Sequence, residues 1–421
     1  MKEGYKDTQL GMIPEDWSIS TVDHATVDHK QGYYTKERYV KSGIKLVRVT
    51  DLKNPKIDFS DMPSLIVSEK DYHAFKIELG DFIFARSGAI GRYGVVEWIE
   101  SPAIFGSYLI RFKFNQKVLV NRFFGYFYES FLCNKQLNAI TQGNANININ
   151  AENIKSLKIP LPPFLEQLKI ASILSTVDDK IDAINDRIAK AQQFKNGLMQ
   201  RLLTRGIGHT KFKNSPLGQI PESWEVVKLG DYQKLMTNGF VGTATPFYVN
   251  SDGILYIQGY NVHENKFRYT GIKYISHEFH EKHRKSHLKE GDLLTVQTGH
   301  IGTTVVVPKE LEGSNCHALI ITRLKREFFD PRFIAYFINS EKGKERINII
   351  SIGSTLAHIN VADFVKFLVP IPPLEEQERI LLILSNVDEK LDVLQEKRTE
   401  YSLLKNGLMQ QLLTGKIRVK V

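Results

Sequence analysis

The chain is written twice. Leu10-Gly11-Met12-Ile13-Pro14-Glu15-Asp16-Trp17 returns as Leu217-Gly218-Gln219-Ile220-Pro221-Glu222-Ser223-Trp224. Gly80-Asp81 with Ser87-Gly88-Ala89-Ile90-Gly91 returns as Gly291-Asp292 with Thr298-Gly299-His300-Ile301-Gly302. Arg122-Phe123-Phe124-Gly125-Tyr126-Phe127 matches Arg332-Phe333-Ile334-Ala335-Tyr336-Phe337, and 159–207 matches 369–417 without a gap, nearly half of the positions being identical. The period is about 210 residues, far longer than a solenoid repeat, so a whole domain is duplicated. The likeness is uneven: 18–79 and 225–290 share little beyond pattern. Two units therefore share a scaffold and differ in what they present.

Each unit opens with alternating apolar segments such as Lys45-Leu46-Val47-Arg48-Val49 and Ile254-Leu255-Tyr256-Ile257-Gln258, broken by glycines. That period of two predicts strands and hairpins. A helix is expected at about 121–140 and again at 331–350, with aromatic stripes (Phe123-Phe124-Tyr126-Phe127 and Phe333-Tyr336-Phe337) that read as core rather than as base-stacking platforms. Ile159-Pro160-Leu161-Pro162-Pro163 and Val369-Pro370-Ile371-Pro372-Pro373 follow, stiff extended connectors that cannot be helical throughout. A long helix starts after each. Leu174, Val177, Ile181, Ile184, Ile188, Ala191, Leu198 and Leu202 fall at 3–4 spacing, interrupted at Lys195. The second copy gives Leu384, Val387, Leu391, Leu394, Tyr401, Leu408 and Leu412, broken at Arg398 and Lys405. Each seam needs a partner, and the simplest partner is the other copy. Some 40 residues make a rod of roughly 60 Å, a rigid spacer between two different readers, as a split DNA site requires.

Composition narrows the classes. In 421 residues, 42% hydrophobic and 24% charged, wholesale disorder is not expected. A net charge of +9 leans toward a polyanionic partner such as nucleic acid. Two cysteines, Cys133 and Cys316, are too few for a disulfide framework. Met1-Lys2-Glu3-Gly4 opens no secretory leader, and the longest apolar run, Ile380–Leu384, is too short for a membrane helix, so a cytoplasmic protein is expected.

Four motifs appear twice and in order: Ile-Pro-x-x-Trp; Gly-Asp with Gly-x-Ile-Gly; the proline connector ending in Glu-Gln (Glu166-Gln167 and Glu376-Gln377); and Lys-Asn-Gly-Leu-Met-Gln-x-Leu-Leu-Thr (195–204 and 405–414). Over essentially its whole length the chain resembles the specificity subunit of type I restriction–modification enzymes. The resemblance implies an α+β chain with two pseudo-symmetric target-recognition domains, mixed β-sheet plus helices, separated by two long helices forming an antiparallel coiled coil. The segments expected are 1–158 (first recognition domain), 159–208 (first conserved region), 209–368 (second recognition domain) and 369–421 (second conserved region). It further implies that the chain recognises a bipartite double-stranded DNA site. Two modification (methyltransferase) subunits would methylate adenine at N6 with S-adenosylmethionine, and two restriction (motor-nuclease) subunits would use ATP and Mg. No cofactor and no catalytic residue is then expected in this chain itself. The competing readings are a recognition subunit of another restriction–modification class, an enzyme with an unrecognised nuclease or methyltransferase site, and a purely structural coiled-coil protein.

The residues agree with a non-catalytic reading. No Gly-x4-Gly-Lys-Ser/Thr run occurs. Leu161-Pro162-Pro163-Phe164 only superficially resembles the Asn/Asp-Pro-Pro-Tyr/Phe motif of amino-methyltransferases, because Leu161 and Ile371 stand where the polar residue belongs. His277, His280, His283 and His287 form the one cluster with metal-ligand character, and on a helix the last three would share a face. The first unit has only His73 there, so no metal is expected.

Base edges are read by Arg, Asn, Gln, Ser and Thr, and phosphates by Lys and Arg. Candidates are the polar positions where the scaffold aligns and the side chains differ. In the first unit these are Gln31, Tyr33, Tyr34, Lys36, Arg48, Thr50, Arg86, Ser87, Arg92, Ser107 and Tyr108. In the second they are Asn238, Thr243, Thr245, Gln258, Tyr260, Asn261, Gln297, Thr298, His300, Thr303 and His317. Arg48 stands opposite Gln258 and Arg86 opposite Gln297; Arg favours guanine and Gln adenine, so the half-sites should differ. The basic stretch Lys195, Arg201, Arg205, Lys211 and Lys213 either follows phosphates or is a solvated linker. Lys195-Asn196-Gly197 and Lys405-Asn406-Gly407 are candidates for docking the modification subunits, since glycine inside a helix costs about 0.5–1 kcal/mol relative to alanine and asks for a close neighbour. Close approach of the two internal helices is the alternative.

Overall fold

The computed structural model describes residues 3–141, 148–351 and 358–420. They form two compact units, 1–185 with 396–421 and 186–395. The division cuts both long helices, Phe164–Arg205 and Leu374–Leu412, instead of following the four sequential segments expected.

In the first unit a four-stranded antiparallel sheet has the order Tyr93–Val95, Phe82–Ala85, Leu109–Phe114, Thr26–Gln31. The second unit repeats it as Thr304–Val306, Leu293–Val296, Leu319–Leu324, Gln233–Asn238. Strand Phe82–Ala85 is buried throughout because both its faces are covered. Phe82 and Phe84 enter the aromatic core of Phe123, Phe124 and Tyr128, whereas Ile83 and Ala85 enter a second core with Val47, Leu52 and Phe105. A smaller sheet crosses beyond this second core, with Ala103–Phe105 parallel to Ile44–Val47. Its counterpart pairs Tyr256 and Ile257 in parallel with Asn315 and Cys316, and carries an extra edge strand at Tyr248–Val249.

The aromatic stripes are core, as expected, but each expected helix is two. Asn121–Glu129 and Phe131–Thr141 break at Ser130, and Pro331–Asn339 and Glu341–Ser351 break at Ser340. Both serines are extended (ψ 157° and 163°), and each hydroxyl accepts a backbone N–H of the following turn, Cys133 at 3.3 Å and Gly343 at 3.1 Å. Each serine is the N-cap of the second helix.

The repeated motifs hold one another. The connectors are strands: Lys158–Leu161 pairs with Ser18–Thr21, and Leu368–Ile371 with Glu225–Lys228. Trp17 donates its indole N–H to Glu166 Oε2 (3.0 Å), and Trp224 to Glu376 Oε2 (2.9 Å). Buried Gln167 accepts from the Val120 amide and donates to the Val118 and Pro162 carbonyls. Gln377 does the same for Asp330, Phe328 and Pro372.

Helix pairing is seen inside each unit. In the first, Lys405 meets Asp178 and Arg418 meets Glu166. In the second, Lys195 meets Asp388 at 2.6 Å and the Ile207 amide meets Glu376. In both, one number rises as the other falls, so the segments run antiparallel. Ile170, Ala171 and Leu174 pack with Met409, Leu412 and Leu413, and Ile380, Leu381 and Leu384 with Met199, Leu202 and Leu203. Among the described residues no helix is long and apolar enough to cross a membrane.

Candidate nucleic-acid interface

The turn after strand Ile44–Val47 sets the first unit's candidate face. Arg48 is extended (φ −111°, ψ 168°) and leads into a single 3-10 turn, Val49–Asp51. Asp51, almost fully buried, accepts the Arg48 amide at 2.7 Å and the guanidinium at 3.1 and 2.8 Å. The hydrogen bond that the guanidinium donates to Asp51 raises the Arg48 pKa, so this side chain is a fixed cation.

Arg48 opens onto a cleft of about 710 Å³ that also gathers Tyr33, Lys36, Thr50, Ser107 and Tyr108. Two further candidates lie beside it: the Arg86 amide donates to the Tyr108 carbonyl (2.9 Å) and Arg92 Nη1 to the Val49 carbonyl (3.4 Å). Ser87 bridges Asn148, whose side chain accepts from Arg86 Nε at 3.2 Å. Gln31 is exposed at the end of its strand opposite Ile110. Tyr34 and Tyr108 are 68% and 67% exposed. The structure thus brings the first unit's candidates to one edge. Sequence comparison missed Thr35, Glu37, Arg38 and Tyr39, which also line the cleft, and Asp51, which aligns with Asn261 three residues beyond the Arg48/Gln258 pair.

The second unit repeats the turn. Gln258 (φ −120°, ψ 167°) precedes Gly259–Asn261, and the Asn261 Oδ1 accepts the Gln258 amide at 3.0 Å. Gln258 Nε2 donates to the Tyr248 hydroxyl at 2.6 Å, an anchor on the extra strand, which has no strand counterpart among the described residues of the first unit. Thr243, Thr245, Tyr260, Thr298 and His300 are exposed. Asn238, Thr303 and His317 are half-buried, His317 meeting the Tyr256 hydroxyl at 3.1 Å with its pKa lowered by burial.

Two candidates face inward. Asn261 is fully buried and donates to the Arg268 carbonyl (2.9 Å). Gln297 is 4% exposed and donates to Asn238 Oδ1 and the Ile359 carbonyl. Their amides hold the scaffold, and the direct Arg86/Gln297 contrast drawn from the sequence has no exposed side chain on its second half.

The histidine cluster is not the single helical face expected. The helix spans His277–Lys282 only, and His283 (φ −114°, ψ 49°) ends it. His280 and His287 stack at 3.6 Å, His287 Nε2 meeting the His280 carbonyl, while His283 packs on Phe240 and Phe279. Burial, then the charge of His287, lowers the His280 pKa. Among the described residues no three His, Cys, Asp or Glu side chains are grouped to hold a metal.

At the docking candidates, Lys195 and Lys405 are spent inside their units, Lys195 on Asp388 and Lys405 on Glu129 (3.0 Å) and Asp178 (2.9 Å). Asn196 and Asn406 are exposed. A Cβ added at Gly197 or Gly407 would meet nothing within 4 Å, so close approach of the internal helices does not account for either glycine.

Comparison with known proteins bears on this arrangement. The family model described as "Type I restriction modification DNA specificity domain" matches residues 14–193 and again 221–401. The MjaX type I restriction enzyme specificity subunit of Methanocaldococcus jannaschii is 28% identical over 100% of this chain and 98% of its own length. The EcoKI specificity subunit of Escherichia coli is 24% identical over 97% and 90%. Among solved structures, the S subunit of a type I restriction–modification system from M. genitalium has TM-score 0.57 at 14% identity, covering 94% of this chain and 96% of that one, a likeness of fold. The family match covers both copies of the repeat, and the chain belongs to the type I restriction–modification DNA specificity family.

Proposed function

We propose that each unit reads one half of a bipartite DNA site, the first through the edge described above and the second through the turn at Gln258, and that the chain directs partner subunits to that site without catalysing a reaction. The observation that carries this reading is the repeated turn: one backbone, fixed by the same amide-to-side-chain bond, presents Arg48 in one unit and Gln258 in the other. A duplicated scaffold bearing different hydrogen-bonding groups is what two unequal half-sites call for. Lys36, Arg86 and Arg92 supply phosphate contacts at the first edge, which carry affinity and salt dependence but not sequence.

The partners proposed are double-stranded DNA, two modification subunits that methylate adenine at N6, and two restriction subunits. S-adenosylmethionine, ATP and Mg belong to those partners, and the assembly works in the cytoplasm. The exposed glycine faces around Gly197 and Gly407, with Asn196 and Asn406, are proposed docking positions; Lys195 and Lys405 hold these segments in place. The test is methylome sequencing of cells expressing this chain with its neighbouring methyltransferase, against the methyltransferase alone. A split motif methylated in both halves only when the chain is present is expected. Methylation unchanged by its removal, with both proteins folded, contradicts the reading.

A further inference from the structure

We infer that the residue three positions beyond each reader, Asp51 in the first unit and Asn261 in the second, decides what the reader can recognise; the inference rests on the specificity-subunit reading and assigns a positioning residue within it. The two turns have the same backbone. Arg48 and Gln258 share their dihedral angles, and Asp51 and Asn261 both accept the reader's amide through one side-chain oxygen. Their carbonyls also accept alike, from Asp58 and Arg268 at 2.8 Å each. What differs is the second atom of the planar group.

In Asp51 that atom is an acceptor, Oδ1, which takes Arg48 Nη2 at 2.8 Å. Nε is held by Oδ2, and Nη2 also donates to the Asp61 carbonyl at 2.7 Å. The guanidinium is thereby locked in plane, and Nη1 has no partner among the described residues. The donors left free are the N–H groups of Nη1, which suit an acceptor such as those on the major-groove edge of guanine. In Asn261 the second atom is a donor, Nδ2, and it turns away to the Arg268 carbonyl. An amide N–H cannot accept from an arginine, so this turn takes a neutral reader, and Gln258 is held by the Tyr248 hydroxyl instead. Its Oε1 and remaining N–H offer an acceptor with a donor, the complement of adenine. Reader and holder thus form a coupled pair, Arg with Asp or Gln with Asn.

The test uses the assembled modification complex, selecting bound sequences from DNA randomised in both half-sites, with the wild-type chain and with Asp51→Asn, Arg48→Lys and the double variant Arg48→Gln/Asp51→Asn. Asp51→Asn is expected to lower the preference at one base pair of the first half-site by about tenfold, leaving the other positions and the second half-site unchanged. Arg48→Lys, which keeps a cation for Asp51 but not the planar fork, is expected to lose preference at the same base pair. The double variant, which lacks a counterpart of the Tyr248 anchor, is expected to lose the guanine preference at that base pair and leave the second half-site unchanged. Unchanged preference in Asp51→Asn, or uniform weakening at every position together with a lower melting temperature, overturns the inference and leaves Asp51 a purely structural residue. A wild-type complex that selects no split sequence contradicts the specificity-subunit reading itself.

Discussion

Asp81 and Asp292 occupy the same place in the Gly-Asp motif and live in different electrostatic settings. Asp292 is fully buried and receives a two-pronged ion pair from Arg323, at 2.7 Å on each oxygen. Asp81 is as deeply buried, but the matching lysine, Lys113, turns to Glu78, and Asp81 Oδ1 has no hydrogen-bond partner among the described residues. Burial pushes the Asp81 carboxyl up to about 6. A carboxyl whose folded pKa exceeds its unfolded one is bound to its proton more tightly in the folded state. Its stabilising contribution is therefore present at low pH and is lost as pH rises through about 6. The loss is at most about 3 kcal/mol by the usual conversion of two pH units. Asp81→Asn, whose side-chain oxygen can still accept the Glu78 amide as Asp81 Oδ2 does, is expected to raise the melting temperature at pH 7.5 and to flatten its decline between pH 4 and 7. An unchanged pH slope in that variant contradicts the assignment. The sequence shows the same motif twice and Lys113 in place of Arg323, but not that the lysine reaches Glu78 instead of Asp81.

Among the elements, the long helices carry a polar node where their apolar seams lapse. Burial alone would lower the Lys405 pKa, but Glu129 and Asp178 outweigh it and raise it. Tyr126 donates to Asp178 at 2.7 Å and Tyr93 to Glu129 at 3.0 Å. The second unit answers with Lys195, Asp388 and Tyr336. Removing one member leaves buried charge uncompensated, so Lys405→Met should cost about 3–5 kcal/mol in urea unfolding of the purified chain; a loss below 1 kcal/mol would place the pair among those worth little. The glycines two residues beyond these lysines behave oppositely. With open space at each Cβ, Gly197→Ala and Gly407→Ala should stabilise the helices by about 0.5–1 kcal/mol, while a Trp at either position should block copurification of the modification subunit. Trp variants that copurify as wild type contradict the docking proposal. The apolar spacing made these helices and their lysine interruptions visible in the sequence. The breaks at Ser130 and Ser340 were hidden, because a lone serine is as compatible with a helix interior as with the cap it turns out to be.

At the scale of the molecule, the duplication was legible and the compact units were not. Sequential segments suggest four pieces, yet each unit takes the first half of one long helix and the last half of the other, because antiparallel pairing joins residues some two hundred positions apart. The candidate edges were half legible. Comparing the copies located Arg48, Gln258, Arg86 and Tyr108, but it could not see that Gln297 and Asn261 point inward. Strand Leu293–Val296 is buried on both faces, so no polar alternation marks which way the next side chain turns. The central claim is that each unit reads its own half-site. The measurement is methylome sequencing of cells expressing the modification subunits with either of two variant chains, Arg48→Ala or Gln258→Ala. Changes confined to one half of the split motif in the first variant, and to the other half in the second, are the expected result. Changes in the same half for both variants, or in both halves for either one, would contradict it.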